Sequence, residues 1–326
     1  MLVLDRKLAN IRAGRYTSDD FIIADAKDGD IGFGRAAPVK DAAGRFTPRA
    51  THLQAIRDMT KSGLVDVMLM SASTAERLSD EGLFKGSPVT PAIRLNDTTD
   101  IWSARGGRYK EEPSRHHRTA RVDQARKITD LGLYSITFSN QRDIDAENAE
   151  AYSAFRAEAG AHGMRHFLEV FNPAFDIRLV GDADMGAFIN DNIVRTLAGV
   201  LDADHPKFLK LQYNGPRAME ELASYDPGNL IVGILGGAAG TTRDTFELLG
   251  QSERYGARVA LFGRKIHLAE SPPEIVALMR QIVARTVTPE EGVKAYHGAL
   301  QKQGIKPVRA LADDLQITEQ ELKLAA

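Results

Sequence analysis

A short aliphatic, β-branched run followed by a helix-length amphipathic stretch recurs eight times along this chain, and few architectures accept that rhythm. The runs fall at residues 21–26, 65–71, 91–96, 133–139, 165–171, 207–213, 230–236 and 257–263. Amphipathic stretches at 48–62, 73–80, 120–131, 146–161, 186–201, 218–224 and 242–255 separate or follow them. Eight strand–helix units over about 250 residues predict a single-domain (β/α)8 barrel of the α/β class. A doubly wound sheet would instead place a G-x-G-x-x-G fingerprint after the first strand. The segment there, Ala24 to Gly34, is acidic and is not expected to open a helix.

The barrel is assigned to residues 1–270. Residues 271–326 are read as a C-terminal helical extension, helical to Leu300 and ending in a charged amphipathic tail suited to packing or homo-oligomer contact. Thr241-Thr242-Arg243-Asp244 reads as a cap opening the seventh helix. A net charge of −2 gives no electrostatic case for nucleic acid or an anionic membrane as partner. With no cysteine, thiolate chemistry and disulfides are excluded, in keeping with a reducing cytoplasm. The first 15 residues carry no apolar leader, and no run approaches the ~18 apolar residues of a membrane span.

Within this frame one residue is out of character. Lys210 stands in the sixth strand with Leu on both sides, and alternation groups it with Phe208 and Gln212 on one face. Helices cover the outside of a barrel, so this face is expected to look inward, with Lys210 near the C-terminal mouth. Burial is costly for an ammonium and favours the neutral, nucleophilic amine. Glu169 is just as isolated in the fifth strand, and Asp25 lies near the end of the first. An interior cation and anion offset one another's desolvation, so the same residues are also compatible with a purely structural ion pair.

The seventh strand ends in Gly236-Gly237-Ala238-Ala239-Gly240 and the eighth in Gly263-Arg264-Lys265. Loops after these two strands are where phosphate-binding barrels hold the anion. Glycine permits close backbone approach, and arginine adds a forked donor. Gly236, Gly237, Gly263 and Arg264 are therefore the candidate phosphate site. Two connections are long, 27–46 and 97–118, the second carrying Trp102 and the pair His116-His117, which lacks metal-ligand spacing. Arg35, Arg94, Asn96, Arg105 and Arg108 could meet a second phosphate, a carboxylate or a sulfonate there, or face water.

The segment from Lys207 to Arg264 resembles the class I, Schiff-base aldolases of the archaeal-type fructose-bisphosphate, tagatose-bisphosphate and deoxyribose-phosphate superfamily. Gly263-Arg264-Lys265-Ile266 is similar to their strand 8 motif, and Val65 to Met70 to their second strand. The resemblance implies Lys210 as the imine former, Asp25 as a proton-transfer acid, Glu169 as the strand 5 glutamate, no cofactor or metal, and a small sugar phosphate as partner. The fifth strand lacks the tyrosine of the archaeal branch, and the fourth lacks the helper lysine of the tagatose branch, for which Lys27 is a possible substitute. Two other readings stay open. One is a metal-dependent barrel lyase, decarboxylase or epimerase using Asp25, Asp28 and Glu169. The other is a sugar-phosphate-binding barrel without turnover.

Overall fold

The computed structural model describes residues 2–36, 40, 44–97 and 104–324. Eight strands, β1 (Ile22–Lys27), β2 (Val67–Ser71), β3 (Thr90–Arg94), β4 (Leu131–Thr137), β5 (Arg165–Phe171), β6 (Leu209–Leu211), β7 (Gly233–Leu235) and β8 (Val259–Phe262), pair in parallel and in chain order. Pairing of β1 with β8 closes the barrel. The expected (β/α)8 fold is the observed one.

Alternation along each strand divides the core in two. Ile22, Ala24, Val67, Leu69, Ala92, Leu133, Phe167, Phe208, Val259 and Leu261 fill the interior. Residues of opposite parity, such as Ile23, Met68, Ile93, Leu168 and Leu209, pack against the surrounding helices. Those helices include α3 (Arg49–Ser62), α4 (Ala72–Asp80), α6 (Arg142–Ala161), α7 (Met185–Leu197), α8 (Pro216–Tyr225) and α9 (Thr242–Arg254). Thr241 caps α9 in a full capping box with Asp244, as its sequence foretold. The helix expected over 120–131 contracts to the single turn α5 (Val122–Ala125).

Three features depart from the sequence reading. The N-terminal residues form a helix, α1 (Val3–Arg12), whose Leu4, Leu8 and Ile11 join the interior cluster. Lys7 of α1 donates to the Phe21 carbonyl at 2.9 Å and pairs with Asp66 at 2.9 Å, while Arg12 reaches the Lys207 carbonyl at 3.2 Å. These partners all precede strands, so α1 closes the end of the barrel opposite the strand C-termini. Second, the acidic stretch after β1 does open a helix, the one-turn α2 (Gly29–Phe33). Third, a boundary at 270 cuts the barrel short. Past the single turn α10 (Arg264–His267), helix α11 (Pro272–Val283) packs against both α3 and α9 and completes the helical ring. What is added to the barrel is α12 (Pro289–Lys302), α13 (Leu311–Asp314) and α14 (Gln320–Lys323).

Among the described residues, no helix is long and apolar enough to cross a membrane. His166 of β5 packs edge-on to Tyr152 and Phe155 of α6, its Nε2 2.8 Å from the Tyr152 hydroxyl. Burial, with the nearby Arg156 and Lys207 charges, pushes its imidazole down to about 3, whereas an unfolded chain holds it near ~6.5. The unfolded state therefore binds the extra proton between these values. Stability that is full above ~6.5 falls as pH drops toward 3. His166→Gln, which keeps a hydrogen-bonding group but cannot titrate, is expected to flatten the decline of the urea midpoint between about pH 6 and 4. An unchanged slope would mean that His166 does not carry that dependence.

Candidate active site

Glu169 and Lys210 stand opposite one another in the β5–β6 ladder, and Ser135 stands opposite Glu169 in the β4–β5 ladder. A parallel sheet places register partners at one height, so three side chains from three strands meet in a row. Lys210 Nζ forms an ion pair with Glu169 Oε1, and Ser135 donates to Glu169 Oε2 at 2.8 Å. Glu169 is 1% and Lys210 5% exposed, yet both line a cavity of about 420 Å³ at the strand C-termini. The amine is thus sheltered without being sealed off.

Arg94, the last residue of β3, ties this row to a second acid. Its guanidinium pairs with Asp28 at 2.8 Å and with Glu169 at 3.3 Å, and stands 3.6 Å from Asp97. It also donates to Ser135 Oγ at 3.1 Å and, from Nε, to the Asn96 carbonyl. Asn96 is buried as well, its amide donating to the Ser135 carbonyl at 2.8 Å. Arg94 and Asn96 are therefore internal supports and not reserve contacts for a second anion. Burial alone would raise the Asp28 carboxyl, but Arg94 and Lys210 hold it below the ordinary carboxylate range. Asp28 lines the cavity as a carboxylate.

Asp25 does not join this group. It shares the parity of Ile23, which packs toward the helices, while Ile22 and Ala24 fill the interior. Its carboxylate is fully buried on that outer face, pairs with Lys27 Nζ at 3.0 Å, and is pushed up by burial. The acid that faces Lys210 from this part of the chain is Asp28, three residues on, where the backbone has left the strand. Lys27 lines the cavity wall beside His52 of α3 and His267 of α10. His52 Nε2 lies 3.1 Å from the Lys27 carbonyl, and the two rings meet edge-on at 5.7 Å. Burial lowers both imidazoles, His267 to about 3 with help from the Lys27 charge.

The four candidate anion contacts do converge. Gly236, Gly237, Gly263 and Arg264 all line the same cavity as Lys210 and Glu169. Gly237 takes φ +65°, a conformation costly for any residue with a side chain, and a Cβ there would meet nothing within 4 Å. Glycine is thus required by the backbone and leaves the loop face open. The guanidinium of Arg264 lies over the Phe33 ring of α2 at 5.8 Å. At the rim, Arg35, Lys40 and Arg105 each approach the Phe46 ring within 5.1–5.4 Å. Arg108 is turned away to Glu111 and Glu112, and Trp102 lies outside the described residues. The His116-His117 pair fastens its loop through backbone bonds, His117 to Asp97 and His116 to Asn148. No group of three or more potential metal-binding side chains occurs among the described residues.

No protein-family model and no curated protein sequence matches this chain. Solved structures do. An archaeal fructose 1,6-bisphosphate aldolase superposes with a TM-score of 0.62 at 17% identity, over 86% of this chain and 99% of that one. An archaeal fructose-1,6-bisphosphate aldolase with its catalytic Lys covalently bound to the carbinolamine intermediate gives 0.61 at 17% identity, with the same coverage. A protein from Corynebacterium glutamicum gives 0.57 at 16% identity, over 87% of this chain and 98% of its own. The chain shares the (β/α)8 barrel fold of these structures. At such identities the likeness extends to the fold and not to the activity.

Sequence reasoning passed over Ser135 and underweighted Asp28 and Arg94. Ser135 could have been found by counting inward positions from Leu131 and Leu133, which bring a hydroxyl to the height of Glu169. Arg94 could not, since only the closed barrel shows that it is buried and bonded to residues from three other segments. Removing the cation from such a set leaves the buried Asp28 carboxylate without its ion pair, at a cost of about 3–5 kcal/mol. Arg94→Met is expected to lose stability on that scale in urea unfolding. A loss under about 1 kcal/mol, the usual worth of an exposed pair, would mean that the network is solvated.

Proposed function

We propose that this chain is a class I aldolase, forming or cleaving a C–C bond in a phosphorylated ketose or related sugar acid through a Schiff base on Lys210. The observation that carries this reading is the lysine–glutamate register pair lining the same cavity as the glycine-bearing loops after β7 and β8 and Arg264.

The ion pair supplies a proton route. Transfer of the ammonium proton to Glu169 frees the amine to attack the substrate carbonyl, and the protonated Glu169 returns that proton to the carbonyl oxygen as the carbinolamine forms. A further proton transfer releases water and leaves an iminium. Asp28, held as a carboxylate by Arg94, accepts the proton of the hydroxyl on the carbon that will depart. The C–C bonding electrons move into the iminium, an aldehyde leaves, and an enamine stays on Lys210. Protonation of the enamine carbon and addition of water release the second product and restore the amine. The iminium is the electron sink throughout. The backbone at Gly236, Gly237 and Gly263, with Arg264, binds the phosphate and fixes the carbonyl against Lys210.

The metal-dependent alternative called on Asp25, Asp28 and Glu169 together. Asp25 lies on the other face of β1, and the remaining two are engaged by Arg94 and Lys210. That donor set does not converge.

Two measurements test the reading. Borohydride reduction with a panel of sugar phosphates is expected to leave a covalent mass on the peptide bearing Lys210, absent in Lys210→Met. No adduct across the panel would sink the imine, and thermal stabilisation by the same compounds would then favour a binding protein without turnover. Second, Asp28→Asn and Glu169→Gln are each expected to lower kcat by roughly 10²–10⁴. Asp25→Asn should leave kcat within about tenfold, because its carboxylate works outside the cavity. Equal loss in Asp25→Asn and Asp28→Asn would return proton transfer to Asp25.

A further inference from the structure

The chain beyond α12 is an addition to the barrel, yet it is bonded to the loop that carries Gly236 and Gly237. Thr241 donates to the Gln316 carbonyl and the Thr242 amide to Asp314, each at 2.8 Å. Asp244 accepts from the Thr318 amide at 2.7 Å, from the Thr318 hydroxyl, and from the Glu319 amide at 3.3 Å. Glu319 pairs with Lys265 Nζ at 2.7 Å, and Lys265 also reaches the Ala239 carbonyl at 3.4 Å. One buried lysine therefore joins the strand 8 turn, the strand 7 loop and the C-terminal segment. Gly240, at φ +61°, is seated with no spare room: a Cβ there would lie 2.8 Å from Asp244 Oδ2 and 3.0 Å from Glu319 Oε1. Lower down, Gln251 donates to the Leu322 carbonyl at 2.8 Å, and Leu322 is buried in the core.

A loop with three glycines in five residues is costly to order, and backbone donors bind an anion well only when already aimed. Lys265 points back toward Glu319, whereas its neighbour Arg264 lies on the cavity wall. The charge behind the loop is thus matched internally, and Arg264 is left to the ligand side. We propose that residues 314–322 act as a clamp in which Glu319, through Lys265, positions the strand 7 loop to receive the anionic end of the substrate. The clamp rests on the anion-site reading above, and Glu319 acts in it as a positioning residue that does not touch substrate.

The test uses the full chain with Glu319→Ala and Glu319→Gln, reading three quantities. Amide exchange of the peptide covering 236–241 is expected to accelerate about tenfold in Glu319→Ala and little in Glu319→Gln, which still offers Lys265 an acceptor. Binding of inorganic phosphate should weaken by a similar factor in Glu319→Ala only. Borohydride trapping of unphosphorylated dihydroxyacetone on Lys210 should stay within about twofold in both. Unchanged exchange at 236–241, or equal acceleration in β6, would overturn the clamp. Loop-specific acceleration with no phosphate bound by the unaltered chain would uphold the clamp and overturn the anion site. Thr318→Val, which removes one bond to Asp244, serves as a milder variant and should shift the same peptide in the same direction.

Discussion

The meeting of Lys210 with Glu169 is a consequence of closure. Parallel pairing of β4, β5 and β6 sets Ser135, Glu169 and Lys210 at one level, and the curvature of a closed barrel turns all three toward the axis. An ammonium and a carboxylate buried apart would each be costly; side by side, with Ser135 and Arg94 meeting the second carboxylate oxygen, they are tolerated. The rest of the structure serves that arrangement. Helix α1 closes the far end of the barrel, apolar layers fill its waist, and the polar row is left facing the open mouth.

Much of this was legible in the sequence because it depends on period. Strand alternation alone placed Lys210 inward with Phe208, and Phe208 does lie in the interior stack, its ring 4.6 Å from that of Phe167. The glycine-rich loop after the seventh strand was legible for a related reason, since Gly237 and Gly240 take left-handed backbone positions that few other residues accept. A pairing of Glu169 with Lys210 was among the expectations, but the exact register of β5 on β6 was not legible. It is set by closure around all eight strands, a property no local window carries.

Asp25 and Asp28 show how a small error of phase matters. Both are acids at the end of the first strand, and the sequence presents Asp25 in the apolar run and Asp28 in a loop. Extending the alternation from Ile22 and Ala24 puts Asp25 outside. Beyond Lys27 the backbone turns into α2, alternation ceases to apply, and Asp28 swings into the cavity. The N-terminal helix was missed for a different reason. Its apolar stripe of Leu4, Leu8 and Ile11 is narrow and sits among basic residues, so it reads as a polar leader until the open end of the barrel supplies something to cover.

Among the described residues, two buried lysine–carboxylate pairs stand toward the strand C-termini, Lys210 with Glu169 inside the barrel and Lys27 with Asp25 on the outer face of β1. Their chemistry differs through what surrounds the acid. Glu169 is held by Ser135 and Arg94, so it keeps a fixed place when its lysine changes charge or forms a bond. Among the described residues the Asp25 oxygens find no such hydrogen-bonding partners; its carboxylate pairs with Lys27, and moving that ammonium away would remove its counter-ion. In the proposed reading, a lysine whose carboxylate has other support is the one available to form the imine. One whose carboxylate has none is retained as its counter-ion. This asymmetry supports the proposed choice of Lys210 on β6, over Lys27, as the nucleophile.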